Sequence, residues 1–195
     1  AVFRTENQLN SQPIIAILPG SRQQEITKML SVMLSVVNDF PDYQFVIAGA
    51  PSQEFSFYEK FITNDNIKFI SNKTYSLLQI ATAALVTSGT ATLETALFKV
   101  PEVVCYKGSW ASYQIAKRII TLKYISLVNL IMDKEVVTEL IQDDCNTQRI
   151  KEELSKILEG EHRAKLLVQY DQLEQKLGGI GASQKTAQLI VRNLE

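Results

Sequence analysis

Five apolar residues in a row, Ile14-Ile15-Ala16-Ile17-Leu18, cut off by Pro19-Gly20, constrain this chain more than any other stretch. A half-exposed strand alternates apolar and polar side chains, and an amphipathic helix spaces its apolar residues three and four apart. An unbroken run this short fits a strand covered on both faces. The same kind of run returns at Ala83-Ala84-Leu85-Val86, and residues 44–48, 67–70 and 102–106 read as further short strands. Between them the spacing turns helical. Ile26, Met29, Leu30, Met33, Val37 and Phe40 share one face until Pro41-Asp42 breaks it, and shorter helices are expected within 54–62, from Thr74 to Ile80, and from Ser88 to Phe98. Ser21 and Gln24 have the spacing of a capping box for the first of these helices. Strands alternating with helices over short links imply a parallel sheet with helices on both faces.

Beyond residue 106 the pattern changes. Residues 110–121 read as a helix, and residues 125–130 as either a last strand or an extended loop. From Val136 onward the spacing is helical throughout, with Gly160 and Gly178-Gly179 as stops and Ser183 capping a terminal helix. The expected architecture is α/β, a Rossmann-like parallel sheet with a helical C-terminal tail: residues 1–12 a linker, 13–160 the sheet domain, 161–195 the tail.

Two loops carry the chemistry. Gly89, in Thr87-Ser88-Gly89-Thr90, follows a strand and opens a helix, where the first-turn amides have no intrahelical partner and favour an anion. Glu94 lies one turn on, on the same face as Thr90. A carboxylate is badly suited to a phosphate and well suited to a pair of sugar hydroxyls. The second loop is Gly20-Ser21-Arg22, where glycine permits close approach and a guanidinium can fork onto a diphosphate. Taken singly, Ser21 reads as a cap, Arg22 as a solvated charge and Glu94 as an exposed helix residue, while the glycine turn reads equally as a tight turn or as a site. Open parallel sheets bind ligands at the carboxyl ends of their strands, and both loops fall there. The pattern therefore points to a nucleotide-sugar site. Neither the dinucleotide fingerprint nor the Walker A loop occurs.

Other chemistries find little support. A net charge of −1 gives no case for nucleic acid. The single histidine, His162, sits in a charged stretch and reads as a surface residue, and with two scattered cysteines no metal site is expected. Cys105 and Cys145 form no Cys-x-x-Cys pair and are read as reduced thiols. No apolar run is long enough to span a bilayer. The stretch 107–124 interleaves Lys107, Lys117, Arg118 and Lys123 with Trp110, Tyr113 and Tyr124; it fits a core-facing helix with solvated lysines, or an element at a membrane surface. The chain begins with Ala and is expected to be a fragment or a processed form.

Leu18-Pro19-Gly20-Ser21-Arg22-x-x-Glu25-Ile26 and Ser88-Gly89-Thr90-Ala91-Thr92-Leu93-Glu94 resemble the C-terminal half of the lipid-A-disaccharide synthase family. So, in order and spacing, do Pro101-x-Val103-Val104-x-Tyr106, Ala116-Lys117-Arg118, Tyr124 through Leu130, and Glu139-Leu140-Ile141-Gln142. The resemblance implies a GT-B glycosyltransferase of lipid A biosynthesis. It implies transfer of 2,3-diacylglucosamine from a UDP donor to a 2,3-diacylglucosamine 1-phosphate acceptor, with inversion and release of UDP. No metal or other cofactor is implied, and the location implied is the inner face of the cytoplasmic membrane. On this reading Gly20, Ser21, Arg22, Ser88, Gly89 and Thr90 hold the diphosphate, Glu94 holds the ribose, and Asn129 and Gln142 are donor contacts. The family's Pro-Asn pair is Val128-Asn129 here. The implied partners are the UDP-diacylglucosamine donor, the lipid acceptor, the N-terminal half of the same enzyme, which would carry the base, and a second copy through the C-terminal helices. Without that half the chain is expected to be inactive. Another GT-B UDP-sugar transferase, an epimerase, and a stand-alone nucleotide-binding domain remain alternatives.

Overall fold

The parity of the Ile14–Leu18 run decides how this protein layers. The computed structural model describes residues 2–108 and 123–178. In β1 (Ile14–Leu18), Ile15 and Ile17 belong to one hydrophobic cluster, and Ile14, Ala16 and Leu18 to another. Successive side chains of a strand leave on opposite faces, so a strand with a core on each side needs an apolar residue at every position. β2 (Gln44–Gly49), β3 (Ile67–Ser71), β4 (Ala83–Thr87), β5 (Glu102–Tyr106) and β6 (Thr138–Ile141) complete one six-stranded sheet in the order β3-β2-β1-β4-β5-β6. All its pairings are parallel.

Helices cover both faces. The first core takes Ile26, Met29, Leu30 and Met33 from α2 (Gln23–Met33), the α-helical spacing that the sequence showed. A 3-10 stretch, Leu34–Asp39, extends α2 and buries Val36 and Val37. Tyr58 of α3 (Phe55–Glu59) joins the same core. The second core takes Leu77 and Leu78 from α4 (Thr74–Leu78) and is flanked by Ala91 and Phe98 at the two ends of α5 (Thr90–Leu97). After α6 (Leu127–Met132) and β6 come α7 (Thr147–Leu158) and α8 (Gly160–Lys176). Leu166, Tyr170 and Leu173 of α8 are buried in the first core, and Lys99 pairs with Asp171 at 2.8 Å and Glu174 at 2.7 Å. Half-exposed ion pairs of this kind contribute about 0–1 kcal/mol, whereas each buried large side chain contributes about 1.5–3 kcal/mol, so packing holds α8 in place.

The structure departs from the sequence expectations in four places. Residues 1–12, expected as a linker, carry α1 (Val2–Glu6), and Leu9 is buried in the second core. The Arg4 guanidinium donates to the Asn10 and Gln12 carbonyls. The capping box of Ser21 and Gln24 does not form. α2 starts at Gln23, so Ser21 lies one residue too early to cap it, and it is the Glu25 carboxylate that reaches back to accept the Ser21 amide at 3.2 Å. Residues 125–130, read as a strand or loop, contain the start of α6, which Ser126 caps by accepting the Asn129 amide at 3.3 Å. Val136 and Val137, read as helical, lead instead into β6, which pairs Val103 with Thr138 at the sheet edge. The expected helix at 110–121 and the terminal helix bearing Ala187, Ile190, Val191 and Leu194 lie outside the described residues. Cys105 and Cys145 are both buried and free. They meet in the fold: a thiol hydrogen bond with Cys145 is the main cause that pushes the Cys105 thiol up, with burial second.

Candidate functional site

The chain winds outward from β1 through β2 to β3 and then returns to the far side of β1 as β4. At such a switch point two neighbouring parallel strands send their loops apart, and a crevice opens at their carboxyl ends. Leu18 pairs with Val86 in register, so the loop after β1 and the turn after β4 leave the sheet side by side. A cleft of about 770 Å³ lies there, and its lining includes Gly20, Ser21, Ser88, Gly89, Thr90 and Glu94. The loops after β2 and β3 add Ala50, Pro51, Asn72 and Lys73, and the start of α4 adds Tyr75.

Each turn has a physical cause. Gly20 has φ +99°, a conformation that L side chains avoid, and a Cβ there would strike the Glu25 carboxyl. Gly89 has φ 152° and ψ −164°, a region essentially confined to glycine, and a Cβ on it would meet nothing within 4 Å. The space over Gly89 is the open cleft. Thr92 locks the turn from below: its hydroxyl donates to the Gly89 carbonyl at 2.8 Å, and its amide does so at 3.3 Å. The Thr90 and Ala91 amides, at the start of α5, have no i−4 carbonyl to meet, and both residues line the cleft. Thr87 also lines the cleft, with its buried hydroxyl oxygen unpartnered.

The charged side chains are less simply arranged. Glu25 and Glu94 line the cleft with Lys73. The Lys73 ammonium already holds Asn7 Oδ1 at 3.3 Å and lies 3.9 Å from Glu6. Glu94 Oε1 accepts the Tyr75 hydroxyl at 3.0 Å. That carboxylate, its hydrogen bond first and its charge second, pushes the Tyr75 phenol up. What this arrangement offers is a set of backbone amides and a carboxylate acceptor at one rim: a place for an anionic group next to a hydroxylated one.

The expected site residues divide accordingly. Gly20, Ser21, Ser88, Gly89, Thr90 and Glu94 are brought together. The Ser88 hydroxyl, however, donates to the Ile125 carbonyl at 2.9 Å, so this turn offers its backbone rather than that side chain. Arg22 is exposed at the start of α2, next to Ser21, but is not among the lining residues. Gln142 follows β6 further along the same rim, with φ 54° and a buried, unpaired Nε2. Asn129 is a correction. It is fully buried, with Oδ1 accepting the Val136 and Val137 amides at 2.7 and 2.9 Å and Nδ2 donating to the Val137 carbonyl and Glu139 Oε1. Every polar atom of its side chain is spent on the fold, and none is left for a ligand. Sequence reasoning missed Tyr75, since nothing local marks a residue of α4 as the partner of one on α5. Glu25 stood in the family motif, but its bond to the Ser21 amide needs the observed helix start. Among the described residues there is no cluster of metal ligands, and no helix is long and apolar enough to cross a membrane.

Comparison with known proteins places this cleft in context. The family model for lipid-A-disaccharide synthetase (LpxB) matches residues 3–192. The lipid-A-disaccharide synthase of Idiomarina loihiensis is 35% identical over 94% of this chain, which corresponds to 51% of that protein. The chain thus spans about half the length of the curated relatives it matches. Among solved structures, the glycosyltransferase SnogD from Streptomyces nogalater superposes with a TM-score of 0.61 at 18% identity, over 95% of this chain and 44% of that one. The C-terminal domain of a glycosyl transferase group 1 family protein from Francisella tularensis gives 0.58 at 16%, over 91% of both chains. At those identities the structures speak for the fold alone, a Rossmann-like parallel sheet like one half of the GT-B architecture. Family model and relative together show that this chain belongs to the lipid-A-disaccharide synthetase family.

Proposed function

We propose that this chain is the donor-binding half of a lipid-A-disaccharide synthase and that the β1/β4 cleft holds the UDP of a UDP-2,3-diacylglucosamine donor. The observation that carries the reading is the register of Leu18 with Val86, which sets the Gly20-Ser21 loop and the Ser88-Gly89-Thr90 turn on one rim with Glu94 beside them. Backbone amides of the glycine turn and the N-terminus of α5 would hold the diphosphate, and the unpartnered Thr87 hydroxyl is an additional donor within the same cleft. The exposed Arg22 guanidinium would close over the phosphates from the α2 side. Glu94 would accept the ribose hydroxyls, and Gln142, with its unpaired Nε2, would reach the donor from the β6 end.

In this scheme the acceptor hydroxyl attacks the anomeric carbon from the face opposite UDP. The bond to the diphosphate oxygen breaks with inversion, and amides already in place stabilise the charge that UDP carries away. The base that takes the acceptor proton belongs to the other half of the enzyme, as does most of the acceptor site. This chain by itself would therefore bind donor and product but not turn over. The working location is the inner face of the cytoplasmic membrane, where a doubly acylated donor and acceptor reside.

Titration calorimetry of the chain with UDP and with inorganic diphosphate tests the assignment. UDP should bind more tightly than diphosphate, and Glu94→Ala should erase most of that advantage. Equal affinity for the two ligands removes the ribose role of Glu94, and no binding of either removes the nucleotide assignment.

A further inference from the structure

We propose that Tyr75 is a positioning residue for Glu94, and that the pair makes the cleft selective for a ribonucleoside over a deoxyribonucleoside diphosphate. The inference rests on the reading of Glu94 as the ribose acceptor and extends it to a residue that no sequence motif marks.

Tyr75 is held at both ends by one helix face. Its hydroxyl donates to Glu94 Oε1 at 3.0 Å, and its ring lies 5.4 Å from that of Phe98 at an interplanar angle of 32°. Glu94 and Phe98 are one turn apart on α5 and its C-terminal cap, so they present a carboxylate and a ring on the same side. Phe98 packs against the second core, which gives the contact a rigid base. Tyr75 itself is 55% exposed and lines the cleft, so a ligand seated there would meet the Tyr75–Glu94 pair directly.

An unrestrained glutamate on a helix surface samples many rotamers, and a ligand that needs one of them must bear the ordering entropy. A carboxylate already tethered through one oxygen has lost that freedom before the ligand arrives. It still has acceptor capacity, because a phenol O–H occupies one lone-pair site of several. A ribose that covers the pair also removes it from water, which strengthens the bonds that are made. It also penalises a sugar that leaves the carboxylate short of a donor. The 2′-hydroxyl is the group that this arrangement would read.

The test is calorimetry of the whole chain with UDP and 2′-deoxy-UDP, using Tyr75→Phe, which keeps the stack on Phe98 and removes only the hydroxyl. Wild type should prefer UDP by roughly tenfold, the value of one charge-assisted hydrogen bond. Tyr75→Phe should reduce that preference to about two- or threefold, weakening UDP more than 2′-deoxy-UDP, which has only its 3′-hydroxyl to offer the carboxylate. Equal weakening of both ligands overturns the positioning role in favour of a general contact. If Glu94→Ala abolishes the preference while Tyr75→Phe retains it, Tyr75 is dismissed and the ribose reading stands. If wild type shows no preference, the selectivity proposal is overturned, while the ribose role of Glu94 stands or falls separately on the affinity of UDP against inorganic diphosphate.

Discussion

The Ser88 hydroxyl donates to the Ile125 carbonyl at 2.9 Å, and so ties the glycine turn of the cleft to the segment that leads into α6. The far side of that segment is fixed in turn. Glu139 Oε2 accepts the Ile125 amide at 2.9 Å, while Oε1 accepts the amide and hydroxyl of Ser126 and the Asn129 side chain. A carboxylate on the edge strand thus braces a turn that lies two strands away.

Ser88 and Gly89 should therefore respond differently to alanine. Ser88→Ala should lower stability by about 1 kcal/mol, the usual net value of a half-buried hydrogen bond, and weaken diphosphate binding only slightly. Gly89→Ala forces a Cβ into a glycine-only conformation at a cost of about 1–3 kcal/mol. The turn is expected to relax by moving its amides, and diphosphate affinity to fall by tenfold or more, as each 1.4 kcal/mol costs roughly that factor. Urea denaturation and calorimetry on both variants check the order. A larger affinity loss in Ser88→Ala would mean that the hydroxyl, not the backbone, meets the ligand.

Asn129 joins α6 to the approach of β6, and its replacement should show in stability before it shows in binding. Asn129→Ala leaves the Val136 and Val137 amides, the Val137 carbonyl and part of Glu139 without partners in a buried region. The expected loss is about 3 kcal/mol, since an unmet buried polar group costs about 1–3 kcal/mol and the relaxed loop recovers some bonds through water. Chemical denaturation measures it. Full stability combined with lost UDP affinity would return Asn129 to the role of a donor contact.

The sheet was legible because β1 must satisfy two cores at once, and only an unbroken apolar run does so. The Ser88-Gly89-Thr90 turn was legible for an equally local reason: it needs a glycine between a strand and a helix. β6 was not. Val136, Leu140 and Ile141 fit the spacing of a helix, and what makes this segment extended is the Asn129 amide and the free edge of β5, both set by other parts of the chain. α6 was hidden likewise, since residues 125–130 read as a strand or an extended loop until Ser126 is seen to cap a helix. In the cleft, the loops could be named from sequence, but the Tyr75–Glu94 bond joins two helices whose relative rotation no short-range pattern encodes.

Glu102 has no part in the cleft and yields a pH prediction. It opens β5 with 1% exposure, neither carboxyl oxygen has a hydrogen-bond partner, and burial pushes its carboxyl well above the ordinary value of 4.5. Tyr170 of α8 lies beside it, its phenol pushed up first by burial and then by the Glu102 charge, with Arg163 acting in the opposite direction. In the folded chain Glu102 keeps its proton above the pH at which the unfolded chain releases its own. The unfolded state then binds fewer protons, and stability falls as pH rises from about 4.5 toward the raised folded value. Glu102→Gln, neutral in both states, should remove that slope. The variant should match wild type near pH 4 and gain on it by up to about 1.4 kcal/mol per pH unit above, within that window. Urea unfolding of both proteins at pH 4, 5.5 and 7 reads the difference. A gap that stays constant with pH would mean that Glu102 ionises in the fold as freely as in the unfolded chain.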